Sequence, residues 1–262
     1  MPFARVNGIN LHYRCFDRGE PLVLVAGWGT DLRTWVFQLP TFRKHFQVIT
    51  FDNRGVGKSD KPTGPYSMKL MAADVIGLMD YLHIKAANVL GLSMGGMIAQ
   101  EVAINYPDRV LRLVLGCTFA SQNDGSGPTD DCRKHAAQDV VQLRVLLASL
   151  ATNNRIARFF VVAIARLLAG HGIEGFKSQG AAIRDHDTTD RLHLIRCPAL
   201  VVAGTHDRVI SPSSSAFLAS RLPHGRLVLI EDGSHSLGSE DRRKFNQVVL
   251  QFLLENTKGL KT

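Results

Sequence analysis

Residues 21–26 and 199–204 of this chain are apolar almost without interruption, and 46–51, 110–115 and 226–230 are nearly so. A strand with one wet face alternates apolar and polar side chains. Continuous runs such as 21–26 and 46–51 instead predict strands covered on both faces, and 110–115, 199–204 and 226–230 read as further strands. Between them lie stretches of helical spacing; in 67–82 the apolar set is Leu70, Met71, Val75, Leu78, Met79 and Leu82. Strands alternating with helices predict an α/β domain with a mostly parallel sheet flanked by helices. Residues 3–6 and 10–15, joined at Asn7-Gly8, read instead as an antiparallel hairpin. Residues 32–45 read as a helix with Pro40 breaking its middle, and 240–255 as a closing helix.

The pattern changes near residue 120. Residues 121–131 are rich in Ser, Asp, Gly, Asn and Pro, as an exposed connection is. From 132 to 180 the spacing is helical, with no convincing strand. The expected division is a core of 1–119, a helical cap of 120–192 and a second core portion of 193–262. A cap there would cover the C-terminal edge of the sheet, where open α/β sheets place ligands.

Composition narrows the class. At 262 residues the chain can bury a full core, and 45% hydrophobic with 21% charged residues is ordinary for a soluble globular protein. Residues 1–8 have no apolar run of the kind a secretory leader needs. The longest apolar stretch, 159–165, falls well short of the roughly 18 residues that span a bilayer. A cytoplasmic chain without stable membrane insertion is expected. Cys15, Cys117, Cys132 and Cys197 lie far apart with no C-x-x-C spacing, which fits reduced thiols better than a disulfide frame or a zinc site. The net charge of +8 is scattered, with no run of five or six basic residues interleaved with aromatics, so nucleic acid is not an expected partner.

The chemistry centres on Gly91-Leu92-Ser93-Met94-Gly95. An apolar run, 87–90, precedes this G-x-S-x-G, and a helix-like stretch, 97–103, follows it. A strand reversing sharply into a helix holds the serine in a strained backbone geometry with its hydroxyl above the sheet. Glycine flanks it because a Cβ would collide in so tight a turn. A serine hydroxyl is a poor nucleophile at neutral pH, so Ser93 needs a base, an acid that orients the base, and oxyanion donors. On such an elbow the chain order is Ser, then Asp or Glu, then His. Asp207 follows the strand 199–204, and His235 follows the strand 226–230.

Four separated segments carry a family resemblance along essentially the whole chain. They are Ala26-Gly27-Trp28-Gly29, the turn from Asp52 to Ser59, the Ser93 pentapeptide, and the Asp207 and His235 loops. Together they resemble the α/β-hydrolase superfamily, in its serine esterase, enol-lactonase and perhydrolase branch. The resemblance implies Ser93 as nucleophile, His235 as general base and acid, and Asp207 as the group that fixes the imidazole tautomer. It implies the backbone amides of Trp28 and Met94 as oxyanion donors, with no cofactor. Many relatives have His-Gly where this chain has Ala26-Gly27, so support for the oxyanion loop is expected to differ. Relatives that dehalogenate alkanes or hydrate epoxides put aspartate at the elbow; serine favours an acyl-enzyme route.

Rival assignments are weaker. His206 adjoins Asp207 and points away from it, as chain neighbours do. Glu231 and Asp232 come too soon before His235 to orient it. Cys117 stands where some relatives keep an alternative acid, a part that cysteine cannot play. His12, His45 and His83 read as surface or packing residues, and the cap histidines His135, His171 and His186 are expected at the surface, with reach to substrate as the alternative. Gly57-Lys58-Ser59 mimics a phosphate-binding loop, but the first glycine of that motif is replaced by Asp52, so residues 52–59 read as a structural turn. No H-E-x-x-H or similar cluster suggests a metal.

The expected activity is hydrolysis of a carboxylic ester through an acyl-enzyme. The alternatives are a lactonase resembling 3-oxoadipate enol-lactonase, an esterase acting on acyl-carrier-protein methyl esters, and a non-catalytic ligand receptor. Gly29-Thr30-Asp31-Leu32-Arg33-Thr34-Trp35 resembles the matching stretch of the enol-lactonases. Residues 133–184 hold eight basic and two acidic residues, and their arginines are expected to reach to water beside a packed helix. The other readings are a positive rim for an anionic substrate or acidic carrier protein, and association with a membrane surface.

Overall fold

The computed structural model describes residues 2–122, 152, 154 and 173–255. Eight strands form one sheet: β1 (Phe3–Val6), β2 (Ile9–Phe16), β3 (Glu20–Val25), β4 (Phe46–Phe51), β5 (Ala87–Leu92), β6 (Val110–Gly116), β7 (Ala199–Gly204) and β8 (Gly225–Ile230). Their spatial order is β1-β2-β4-β3-β5-β6-β7-β8. β2 pairs antiparallel with both β1 and β4, and every pair from β4 to β8 is parallel. The hairpin turn is as expected: Asn7 and Gly8 have φ of 45° and 79°, the left-handed pair that a two-residue turn between twisted strands requires.

Six α-helices are described: α1 (Leu39–Phe42), α2 (Met68–Tyr81), α3 (Met94–Asn105), α4 (Ile173–Arg184), α5 (Pro212–Arg221) and α6 (Arg242–Leu254). Strand β3 shows why its run is continuously apolar. Val23 and Val25 face a core built with α2, α3 and α5, while Leu22 and Leu24 face a second core with Phe42 of α1 and Phe245 and Phe252 of α6. Helix α3 is buried along its length from Met94 to Ile104, so it is the central helix of the first layer. Helix α2 starts where Ser67 caps it, its hydroxyl accepting from the Leu70 amide at 3.0 Å.

The helix expected over 32–45 does not form as one piece. A single 3₁₀ turn, Leu32–Trp35, is followed by the four-residue α1, with Pro40 in its first turn. Proline has no N–H and its ring clashes with the carbonyl four residues back, so the chain restarts at Pro40 instead of running through it. Helix α5 was not foreseen as a separate element; its start is marked by Ser211, whose hydroxyl accepts from the Ser213 amide, followed by Pro212 at the first helical position. Of the helical pattern expected over 132–180, only the part from Ile173 onward lies within the described residues.

The strand order changes direction beside β3. From β3 the chain crosses to β4 on one side, then to β5 on the other. Loops leaving β3 and β5 therefore meet at the C-terminal edge, the switch point at which such sheets bind ligands.

Candidate functional site

Ser93 stands at that edge, between the end of β5 and the start of α3, with φ 55° and ψ −121°. A non-glycine residue held there costs about 1–3 kcal/mol and persists only when its surroundings impose it. Here the Ser93 amide donates to the Gly116 carbonyl of β6 at 2.8 Å. The two flanking glycines are needed for different reasons. A Cβ on Gly91 would lie 2.2 Å from the Gly95 carbonyl oxygen across the turn. One on Gly95 would lie 2.0 Å from the Val25 oxygen, so it is the neighbouring strand β3 that forbids a side chain there.

Asp207 and His235 arrive from β7 and β8. Their loops are fastened together: the His206 amide donates to the Gly233 carbonyl at 2.9 Å and the Thr205 amide to the Ile230 carbonyl at 3.0 Å. The pair itself is closed, with His235 Nδ1 2.8 Å from Asp207 Oδ2. The other Asp207 oxygen accepts from the Val209 and Ile210 amides at 2.8 and 2.9 Å, which leaves the carboxylate no freedom to turn. A proton on Nδ1 satisfies this ionised acceptor, and Nε2 then carries the lone pair. Asp207 is buried and His235 half-buried. No hydrogen bond joins Ser93 to His235 among the described residues.

Behind the pair, Cys117 follows β6 with φ 48°, its sulfur within 4.8 Å of the nearest Asp207 oxygen and His235 nitrogen. Burial, then the negative charge of Asp207, pushes its thiol well above the ordinary value, so it stays protonated. The His235 loop is propped by Glu240, which accepts from the hydroxyls of Ser234 and Thr152.

The Trp28 loop follows β3 directly. The Gly27 carbonyl accepts from the Thr30 hydroxyl at 2.9 Å and the Thr30 amide at 3.3 Å. In a trans peptide the N–H opposes the C=O, so the Trp28 amide points away from Thr30. The Met94 amide opens α3 at the positive end of its dipole. Among the described residues neither amide donates a hydrogen bond. Residues from α4 reach this loop as well. Trp28 stacks on Phe176 with ring centroids 4.2 Å apart and planes 13° apart, and Gln179 accepts from the Gly29 amide.

Other sequence candidates fall outside the site. His206 is exposed beside Asp232, 3.4 Å away. His45 and His83 are exposed, whereas His12 is buried with Nδ1 2.8 Å from Asp52. Asp52 also accepts from the Leu32 and Lys58 amides, both at 2.8 Å, and a Cβ on Gly57 would lie 2.2 Å from its carboxylate. The turn 52–59 is thus filled by its own aspartate and leaves no cradle for a phosphate. His186, expected at the surface, is instead buried against Phe119, with ring centroids 6.3 Å apart and neither ring nitrogen partnered among the described residues. His135 and His171, Cys132, and most of the basic stretch 133–184 lie outside the described residues.

Residues 20–175 match the family model of the alpha/beta hydrolase fold. The chain belongs to the α/β-hydrolase family. It is 30% identical to 3-oxoadipate enol-lactonase 2 of Acinetobacter baylyi over 249 residues, 92% of each chain. Among solved structures, the enol-lactonase of Burkholderia xenovorans LB400 superposes with a TM-score of 0.85 at 34% identity, covering 97% of this chain and all of that one. Est816, an N-acyl homoserine lactone degrading enzyme, superposes with a TM-score of 0.84 at 26% identity, over 96% of this chain and 100% of that one.

Two features of this α/β-hydrolase bear on bound groups. Among the described residues, the potential metal ligands that cluster are Cys117, Asp207 and His235. Two of them, Asp207 and His235, are already joined to each other by a hydrogen bond. Among the described residues, too, no helix is long and apolar enough to cross a membrane.

Proposed function

We propose that this α/β-hydrolase cleaves a carboxylic ester, open-chain or cyclic, through an acyl-enzyme on Ser93. The observation that carries the reading is the closed His235–Asp207 pair, its carboxylate immobilised by two amides, at the sheet edge where Ser93 holds a positive φ. Asp207 sets the imidazole tautomer, so that Nε2 takes the Ser93 proton as Oγ attacks the carbonyl carbon. The carbonyl electron pair moves onto oxygen, where the Trp28 and Met94 amides hold it. Collapse expels the alkoxide, which takes the proton from His235. Water then repeats the sequence on the acyl-enzyme and releases the acid.

Lactone hydrolysis is the second reading, favoured by the enol-lactonase relatives at 30% and 34% identity. In a lactone the expelled alkoxide stays tethered to the acyl group, so the acyl-enzyme retains the whole substrate. One experiment tests both: a panel of p-nitrophenyl esters and lactones against the native chain and Ser93→Ala. Loss of about six orders of magnitude in kcat is expected on whichever class is turned over. Undiminished turnover by Ser93→Ala would remove Ser93 from the reaction. A native chain inert to every substrate and to a fluorophosphonate, yet binding a ligand tightly, would make it a receptor on this fold.

A further inference from the structure

Helix α4 comes from the segment between β6 and β7, yet it is fitted against the loop that carries the Trp28 amide. Gln179 is fully buried, and its carboxamide spans two stretches of core backbone. Its Oε1 accepts from the Gly29 amide at 3.0 Å, and its Nε2 donates to the Arg54 carbonyl at 2.8 Å. Three residues earlier, the Phe176 ring stacks on Trp28, and the Phe176 carbonyl accepts from the Trp28 indole N–H at 2.8 Å.

The seam leaves no slack. A Cβ on Gly29 would lie 2.7 Å from the Phe176 ring, one on Gly180 2.6 Å from the Trp28 ring, and one on Gly175 2.0 Å from the Gly55 carbonyl oxygen. Gly29 has φ 66°, so the loop has bent back on itself immediately after Trp28. The peptide before Trp28 is fixed at its carbonyl by Thr30, and the peptide after it is fixed at its N–H by Gln179. The Trp28 amide lies in the first of these peptide planes, and the Trp28 φ and ψ that join it to the second are held between the two bonds.

We propose that Gln179 is a positioning residue for the reaction. By holding the Gly29 amide it keeps the neighbouring Trp28 amide aimed at the developing oxyanion, and so makes catalysis depend on the seating of α4. Without Gln179 the half-buried Gly29 amide has no acceptor, and the cheapest remedy is for the loop to turn toward water. The proposal rests on the reading of Ser93 as nucleophile and Trp28 as oxyanion donor. It differs from that reading in placing a determinant of rate some 150 residues away in sequence, on a side chain that touches no reacting atom.

The test compares Gln179→Met, which keeps length but loses both bonds, with Gln179→Asn, which is too short to span both backbones. Each is measured for kcat and KM on a turned-over ester, for the affinity of a boronic acid that forms a tetrahedral adduct on Ser93, and for thermal melting. The expected result is a fall in kcat of about 10- to 100-fold with KM changed less than about threefold. Boronate affinity should weaken by a similar factor. If Gln179→Met does not fold, Gln179→Asn carries the same expectation. A folded variant with kcat and boronate affinity within about twofold of the native chain would overturn the proposal while leaving the Ser93 reading intact. If kcat falls but boronate affinity is unchanged, Gln179 acts elsewhere and the proposal also fails. A native chain that neither hydrolyses esters nor binds the boronate overturns both.

Discussion

The serine elbow and the Trp28 loop sit side by side on one sheet edge, yet they are held in different ways. The elbow is imposed by the sheet and its central helix: the Ser93 amide bonds β6, and Gly91 and Gly95 press backbone on backbone against α3 and β3. Asp207 and His235 are likewise fixed by loops of β7 and β8 that bond each other. The Trp28 loop is half-fixed by its own Thr30 and half by Phe176 and Gln179 of α4. On the proposed reading, the nucleophile, base, acid and the Met94 donor are all held by the sheet and its central helix, while the Trp28 donor leans on a segment inserted between two strands. A substrate that disturbs α4 should alter how well charge is stabilised without touching proton transfer.

The largest test of this division lies in the sheet-held half. Asp207→Asn preserves shape but stabilises the wrong imidazole tautomer, so kcat should fall about 10⁴-fold. The thermal midpoint should move little and boronate affinity less than turnover. A near-normal rate would mean that another acid orients His235.

The seam between the inserted segment and the core offers the next test. Burial pushes the His186 imidazolium down to about 4 from 6.5; Arg191 adds to the lowering, while Glu101, Asp187 and the Phe119 backbone oppose it. Because the folded value is the lower one, the unfolded chain takes up a proton between pH 6.5 and 4 that the folded chain refuses. Stability is therefore whole above pH 6.5 and falls as pH drops, by about 3 kcal/mol. His186→Leu removes the titrating ring and should flatten this slope. Urea unfolding of both chains at pH 7 and pH 5 reads the difference; equal losses would exonerate His186.

The smallest effect sharpens the comparison from inside the sheet. Cys117 lies within 4.8 Å of a His235 nitrogen and has φ 48°, a conformation aspartate tolerates better than most residues. Placing Cys117→Asp in the Asp207→Asn background should recover roughly tenfold in kcat, since oxyanion stabilisation is intact and only orientation is missing. No recovery would show that the acid must come from the β7 loop.

Much of the sheet was legible because burial on both faces writes itself as uninterrupted apolar runs. The expected 46–51 and 199–204 coincide with β4 and β7. The helix over 32–45 failed because apolar spacing continued through Pro40 while the backbone could not. The elbow, Asp207 and His235 were readable from a local pentapeptide and from chain order, and the structure closes His235 on Asp207. His186 was misplaced because nothing local announces that a histidine will be sealed against Phe119. Gln179 and Phe176 were not singled out at all. Their partners are 125 to 150 residues distant, and a glutamine in a helical stretch looks the same whether it faces solvent or a loop amide.

The close approach of Gly95 to the Val25 oxygen has one more consequence. It joins the first turn of α3 to the end of β3 by main-chain atoms alone, three residues before Trp28. The spacing between the Ser93 turn and the Trp28 loop is then independent of which side chains fill the layers beneath. Core residues on either face can drift, shrink or be exchanged in evolution, and the ruler between these two loops keeps its length. Only the residue without a side chain is not free to vary.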